Sequence, residues 1–190
     1  MGAYEFIPYV TYDIQPYALV TPSTIVMNGV SETVRVKLMN VGTATITSAD
    51  IDWSFNGVSR STVNWTGSLA SGNSIDVVLD TIVPISGINS LVVIASAPNN
   101  QTDSIALNDT LKVELYACDS MLSGVYTVGS GGQFATLDDA VATLQKCGVK
   151  GAVTLSLLSG TYPPLTLFGN IPGANATNTI TFTSATANAN

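Results

Sequence analysis

The chain has 190 residues, of which 46% are hydrophobic and 10% charged, and its formal net charge is −7. This balance excludes a disordered or coiled-coil protein, and the six scattered basic residues form no stripe that could bind nucleic acid or an anionic membrane. No apolar run approaches the roughly 20 residues of a membrane-spanning helix. We therefore expect a chain with a hydrophobic core and a neutral polar surface, as in many extracellular β-proteins.

The first eleven residues are unusually aromatic for a terminal segment. They include Tyr4, Phe6 and Tyr9, and they lack the basic start and the small-residue cleavage site of a signal peptide. Residues 1–11 are interpreted as an N-terminal extension or as the first edge strand; the alternative is that they pair with a neighbouring module or protomer. If the parent protein is exported, we expect its signal peptide to be missing from this sequence.

Residues 12–117 show the alternation typical of half-buried β-strands. Val34, Val36 and Leu38 alternate with polar neighbours. The same period returns in Ile51-Trp53-Phe55, Ile75-Val77-Leu79 and Leu111-Val113-Leu115. Turn formers separate the segments, and Asn56-Gly57 is the strongest hairpin signal. Roughly seven strands in about a hundred residues predict an immunoglobulin-like antiparallel β-sandwich with Trp53 in its core.

Two carboxylates lie close together on one predicted strand of the sandwich. Asp50 and Asp52 share a face, which is the arrangement that paired acids need for glycoside chemistry. Ile51 and Trp53 between and beside them face the core, so both carboxylates should be solvated. We expect no catalytic role for this pair.

The loop from residue 99 to residue 109 collects oxygen-bearing side chains. They are Asn99, Asn100, Gln101, Asp103, Asn108 and Asp109. Carboxylate and amide oxygens are the ligands that Ca²⁺ prefers, and Asp103, Asn108 and Asp109 are the candidate metal ligands. The loop has no EF-hand spacing, and the alternative is that these side chains cap turns between two strands. No other cofactor is expected.

After residue 117 the pattern changes, and one amphipathic helix is predicted. Its apolar positions recur at helical spacing: Leu137, Ala140, Val141 and Leu144. Thr136 and Asp139 resemble a capping box at its start, and Gly148 marks its end. The glycine cluster at residues 129–132 lacks the lysine of a phosphate-binding loop, so it is interpreted as a turn into this helix.

Short apolar segments flank the helix. Residues 125–128, 153–158, 165–168 and 180–182 are predicted strands whose spacing suits coils stacked on one another. Residues 118–190 are therefore interpreted as the start of a right-handed parallel β-helix, with the helix capping its open end. The predicted fold class is all-β, with one short α-helix.

The two cysteines fit either a single disulfide or two buried thiols, and their spacing does not choose between these. Cys118 follows the last predicted sandwich strand, and Cys147 ends the predicted helix. We favour a bridge between them, which would pin the two domains together.

Several enzyme classes are excluded by composition. The chain contains no histidine, so Ser-His-Asp, Cys-His and histidine-ligated metal sites are ruled out. Residues 151–190 contain no Asp, Glu, Lys or Arg, which argues against a polysaccharide lyase site there. We expect no catalytic residue within this chain.

Two runs of residues carry resemblances to known families. The first run resembles CARDB-type domains, which are immunoglobulin-like modules of bacterial surface proteins, especially those of Bacteroidetes. The resemblance rests on Asn40-Val41-Gly42-Thr43, on residues 51–58 and on Trp65-Thr66-Gly67-Ser68-Leu69. Residues 123–129 and Ser159-Gly160-Thr161-Tyr162 look like the opening of the β-helix domains of pectate-lyase-like and adhesin-like proteins. Together the resemblances cover most of the chain.

The resemblances imply a large exported multidomain protein at the cell surface. The favoured hypothesis is a non-catalytic structural or adhesive module, whose partners are neighbouring domains of the same protein, a polysaccharide or another surface protein. One alternative is a carbohydrate-binding accessory fragment of a β-helix enzyme whose catalytic residues lie outside this chain. The other is a filament or appendage subunit.

Overall fold

The computed structural model describes residues 10–164 and 169–186. The chain divides into two compact units, Met1–Ala117 and Cys118–Asn190. The predicted strand at 165–168 and most of the predicted N-terminal edge strand lie outside the described residues. Of that N-terminal segment, Val10 and Thr11 are described; they are not in a strand, and their carbonyls accept hydrogen bonds from the amides of Thr43 and Ala44.

The described part of the first unit is built from β-strands. In chain order they are β1 (Ile14–Thr21), β2 (Ile25–Met27), β3 (Glu32–Asn40), β4 (Ile46–Phe55), β5 (Val58–Ser59), β6 (Val63–Leu69), β7 (Ser74–Ile82), β8 (Gly87–Ser96) and β9 (Thr110–Cys118). One sheet has the order β1-β3-β7, and the other has the order β2-β9-β8-β4-β5, with β6 also paired to β4. The central pairings β3–β7, β4–β8 and β8–β9 are antiparallel.

The core of this unit is formed by the apolar faces of both sheets. Val34, Val36 and Leu38 of β3 are fully buried, and the polar residues between them are more exposed, so the predicted alternation is confirmed. Trp53 of β4 is buried as expected, and its indole Nε1 donates a hydrogen bond to the Ser61 carbonyl at 3.2 Å. Each large apolar side chain buried in this way contributes roughly 1.5–3 kcal/mol to stability.

The predicted hairpin at Asn56-Gly57 is confirmed. Both residues have positive φ, 50° and 76°, which is the geometry of a two-residue type I′ turn, and the turn joins β4 to β5. The sequence patterns did not predict β1, β2, β5 or β6. In β1 the alternation is broken by Pro16 and by two shifts of register against β3, and β2 and β5 are too short to show a period.

The second unit contains β10 (Leu122–Val128), α1 (Leu137–Cys147), β11 (Val149–Leu157) and β12 (Ile180–Ser184). The three strands form a parallel sheet in the order β10-β11-β12. Val125 pairs with Thr154 and Val153 with Ile180, so equivalent positions recur after about 27–29 residues. A parallel sheet of stacked strands is therefore present, while a β-helix is not shown by three strands.

The predicted helix is confirmed with both of its ends. Thr136 is the N-cap, and its side-chain oxygen accepts a hydrogen bond from the Asp139 amide at 3.1 Å. Gly148 ends the helix with φ 68°. The buried face consists of Leu137, Ala140, Val141, Leu144 and Cys147.

Cys118 and Cys147 form a disulfide, with their Cα atoms 5.7 Å apart. The preferred pairing is thus present. Cys118 is the last residue of β9 and the first residue of the second unit, and Cys147 is the last residue of α1. The bridge ties the end of β9 to the end of α1, and the loop that it closes, residues 118–147, lies within the second unit.

Candidate metal site

The loop between β8 and β9 is tied to the segment that precedes β1. The Ser104 amide donates to the Tyr12 carbonyl at 2.8 Å, and the Ile14 amide donates to Asp103 Oδ2 at 2.9 Å. The side-chain amide of Asn108 donates to Asp13 Oδ1 at 2.9 Å. These contacts join residues about ninety positions apart in sequence, and they bring Asp13 to the candidate residues of the loop.

Three buried side-chain oxygens in this region have no hydrogen-bond partner within the described residues. They are Asp13 Oδ2, Asn108 Oδ1 and Asp109 Oδ1. Asp13 is only 1% exposed, although a carboxylate is rarely buried without a partner. An orphaned buried acceptor costs about 1–3 kcal/mol, and more when it is charged. We name these three residues the acceptor cluster.

The electrostatic environment opposes negative charge on the acceptor cluster. Burial, and after it the nearby carboxylates of Asp103 and Asp13, together raise the pKa of Asp109 to about 6. Burial also raises the pKa of Asp13, against the lowering effect of its hydrogen bond from Asn108. Every cause that acts on Asp109 disfavours its ionised form, so the cluster lacks a compensating positive charge.

The candidate ligands predicted from the sequence do not all lie in the acceptor cluster. Asn108 and Asp109 belong to the acceptor cluster. Asp103 lies beside it, but its two oxygens already accept hydrogen bonds from the amides of Ile14 and Ile105. Asn99 is used elsewhere, because its Oδ1 accepts from the Thr47 amide at 2.6 Å.

Sequence reasoning missed Asp13. It precedes β1 and shares no local motif with the loop, so no signal in the sequence pointed to it. Asp103 and Asp109 also line an open surface depression of about 440 Å³ together with Asn100 and Gln101. Of the acceptor cluster, Asp109 lines this depression, and its orphaned Oδ1 is itself buried.

A metal site made from several histidine, cysteine or acidic side chains is not found. Within residues 10–164 and 169–186, no three such side chains come together in a metal-holding group. The acceptor cluster reaches three side-chain oxygens only by including the amide of Asn108. Any ion there must complete its coordination with backbone carbonyls or water, as Ca²⁺ commonly does.

The other acidic pair serves the strand on which it lies. Asp50 accepts a hydrogen bond from Asn64 Nδ2 at 2.7 Å, and Asp52 accepts one from the Thr62 hydroxyl. Asp52 is exposed and Asp50 half-buried, while Ile51 between them is in the core. The two carboxylates are therefore held in separate hydrogen bonds across the sheet.

Among the described residues, no helix has both the length and the apolar character needed to span a bilayer.

Comparisons with known proteins give structural neighbours only. No protein-family model matches the chain, and the curated proteins contain no match. A CARDB domain from Pyrococcus furiosus, solved in complex with di-metal ions, is 14% identical at a TM-score of 0.45, over 61% of this chain and 95% of that one. A domain of a predicted cell surface protein from Methanosarcina acetivorans is 23% identical at a TM-score of 0.48, over 57% and 94%.

A third neighbour is an enzyme of which this chain matches a small part. The β-glucosidase from Listeria innocua is 12% identical at a TM-score of 0.29, over 58% of this chain and 17% of the enzyme. CARDB domains, which the sequence resembles, are thus among the neighbours, and a β-helix domain is not shown. Similarity at this level transfers no ligand or activity to the chain.

Proposed function

We propose that the chain is a non-catalytic structural module of an exported cell-surface protein. In this role the sandwich spaces or presents its neighbours, and the second unit forms the first coils of a longer parallel stack. The surrounding domains of the same protein are its partners. The extracellular setting is supported by the low content of charged residues, the disulfide and the CARDB-type resemblance.

The observation that carries the proposal is the parallel stack of β10, β11 and β12. Equivalent residues recur after about 27–29 positions, and Leu155 pairs with Tyr126 on one side and Phe182 on the other. Each strand of such a stack contacts its immediate neighbours, so length can grow by adding coils. An architecture of this kind is suited to an extended scaffold.

Several of the described acidic residues of the sandwich are engaged in structural contacts or buried, which fits the same function. Histidine is absent from the sequence, and the carboxylates of Asp50 and Asp52 are engaged with Asn64 and Thr62. Asp13, which precedes β1, and Asp109, at the end of the β8–β9 loop, have pKa values raised by burial and by neighbouring carboxylates, and among the described residues no basic group acts on either. These features favour a structural role over catalysis.

A carbohydrate-binding accessory role is the second candidate, and a binding screen separates the two. The purified chain is applied to a glycan array with and without Ca²⁺, and its mass in solution is measured by light scattering. A structural module gives no reproducible glycan binding and a single non-growing species. Binding to one polysaccharide class would replace the structural role with the accessory role, and concentration-dependent polymerisation would favour a filament subunit.

A further inference from the structure

The acceptor cluster presents an unusual imbalance between donors and acceptors. Among the described residues, the buried side-chain oxygens without a partner are those of Asp13, Asn108 and Asp109, and all three belong to this one region. Ordinary burial scatters such defects or satisfies them with amide donors. Here one donor reaches the cluster, since the Asn108 side-chain amide donates to Asp13 Oδ1. The nearby backbone amides of Ile14 and Ile105 donate to Asp103 instead, and that of Ser104 donates to the Tyr12 carbonyl.

The burial of Asp13 distinguishes the acceptor cluster from a group of exposed surface acids. Its side chain is 1% exposed, its Oδ1 is fixed by Asn108, and its Oδ2 remains without a donor. An ionised carboxylate in this state is strongly unfavourable unless it is neutralised or bound to a cation. Asp103 lies near enough to raise this cost for Asp13, and Asp13 and Asp103 together disfavour charge on Asp109.

We propose that Asp13, Asn108 and Asp109 bind one Ca²⁺ ion between the β8–β9 loop and the start of β1. The ion supplies the positive charge that the three oxygens lack, and Asp103 adds long-range attraction. The open depression lined by Asp103 and Asp109 lies on the Asp109 side of the cluster and leaves room for water ligands. The role of the ion is to fasten the loop to the strand.

The donor set selects calcium over other divalent ions. Carboxylate and amide oxygens are hard ligands, and the chain has no histidine and no free cysteine to attract zinc or copper. Mg²⁺ requires near-octahedral geometry and gives up its water reluctantly, whereas Ca²⁺ accepts irregular sets of six to eight oxygens. With only two carboxylates as ligands, we expect a dissociation constant of about 0.1–1 mM, as in extracellular modules.

The test is the thermal unfolding of the full chain, followed by tryptophan fluorescence. Both tryptophans, Trp53 and Trp65, lie in the first unit, so the signal reports on the sandwich. After removal of metal with EDTA and dialysis, about 5 mM Ca²⁺ should raise Tm by roughly 5 °C. Mg²⁺, and NaCl at equal ionic strength, should shift Tm by less than half of that.

Variants locate the effect. Asp109→Asn and Asp13→Asn each remove a ligand charge and should abolish the calcium shift, while Asp80→Asn, at an exposed position of β7, should retain it. If Asp13→Asn does not fold, Asp109→Asn alone decides. The proposal is overturned if Ca²⁺ has no effect beyond that of NaCl, if Mg²⁺ acts equally, or if Asp109→Asn keeps the full shift.

Discussion

Removal of the disulfide between Cys118 and Cys147 should destabilise the second unit strongly. The bridge joins residues 29 positions apart, and closing a loop of that length in the unfolded chain stabilises the folded state by about 3.5 kcal/mol in the chain-entropy relation. The free energy of unfolding of a unit of this size is only a few kcal/mol. The Cys118→Ala/Cys147→Ala double variant should therefore lose most of the stability of this unit.

The two units can be followed separately in one urea titration. Circular dichroism at 222 nm reports on α1, the α-helix of the described residues, and tryptophan fluorescence reports on the sandwich. With an m-value of about 1–1.5 kcal/mol/M for a small unit, the 222 nm midpoint should fall by roughly 2–3.5 M. The fluorescence midpoint should stay where it is, because the loop that the bridge closes, residues 118–147, lies within the second unit.

The wild-type chain treated with a reducing agent is the matched control, since it loses the bridge without losing the sulfur atoms. It should unfold at the same urea concentration as the double variant. The reasoning fails if the double variant and the oxidised wild type share one 222 nm midpoint. It also fails if the fluorescence midpoint moves as far as the 222 nm midpoint, since the bridge would then stabilise both units.

Three further predictions concern the sandwich. Because the pKa of Asp109 is raised from 3.8 to about 6, the folded state binds this proton more tightly than the unfolded state, and stability rises as pH falls through 6. In EDTA, Tm should thus increase from pH 7.5 to about pH 5, and Asp109→Asn should reduce this increase. Asn40→Ala should lower the free energy of unfolding, measured in urea, by about 3 kcal/mol, because this fully buried side chain makes three hydrogen bonds to backbone groups. A decrease below about 1 kcal/mol would contradict a stabilising role for these three hydrogen bonds. Gly42→Ala should lower the free energy of unfolding by about 1–3 kcal/mol, since a Cβ there would lie 2.5 Å from the Thr11 carbonyl oxygen. An unchanged Tm would show that the backbone at Thr11 moves to accommodate the added methyl group.

Much of the local structure could be predicted from the sequence. The helix α1 was predicted from its apolar spacing, its N-cap at Thr136 and its terminal Gly148, because each of these signals depends on residues close together in sequence. The Asn56-Gly57 turn was equally predictable, because few other residue pairs adopt two positive φ angles at low cost. The alternation in β3 was clear because one face of that strand is wholly buried.

Strands with weak local signals escaped prediction. β1 contains Pro16 and shifts register against β3, so its burial does not follow a simple period of two. β2 and β5 have three and two residues, and they exist because neighbouring strands offer partners. Such strands are decided by the sheet they join and not by their own residues.

The candidate site divides in the same way. Composition placed oxygen-bearing side chains in the loop at 99–109 and excluded histidine chemistry, because residue types are properties of the sequence itself. It could not tell that Asn99 bonds to Thr47, which lies 52 positions earlier.

Asp13 is the clearest case of a decision made by the tertiary structure. In the sequence it is one of thirteen acidic residues and belongs to no motif. Folding buries it and sets it against Asn108, about ninety-five positions away. The sequence determined which chemical groups are present and which short segments turn, coil or extend; the tertiary structure decided which acids meet, because burial and proximity arise only when the sheets close around a common core.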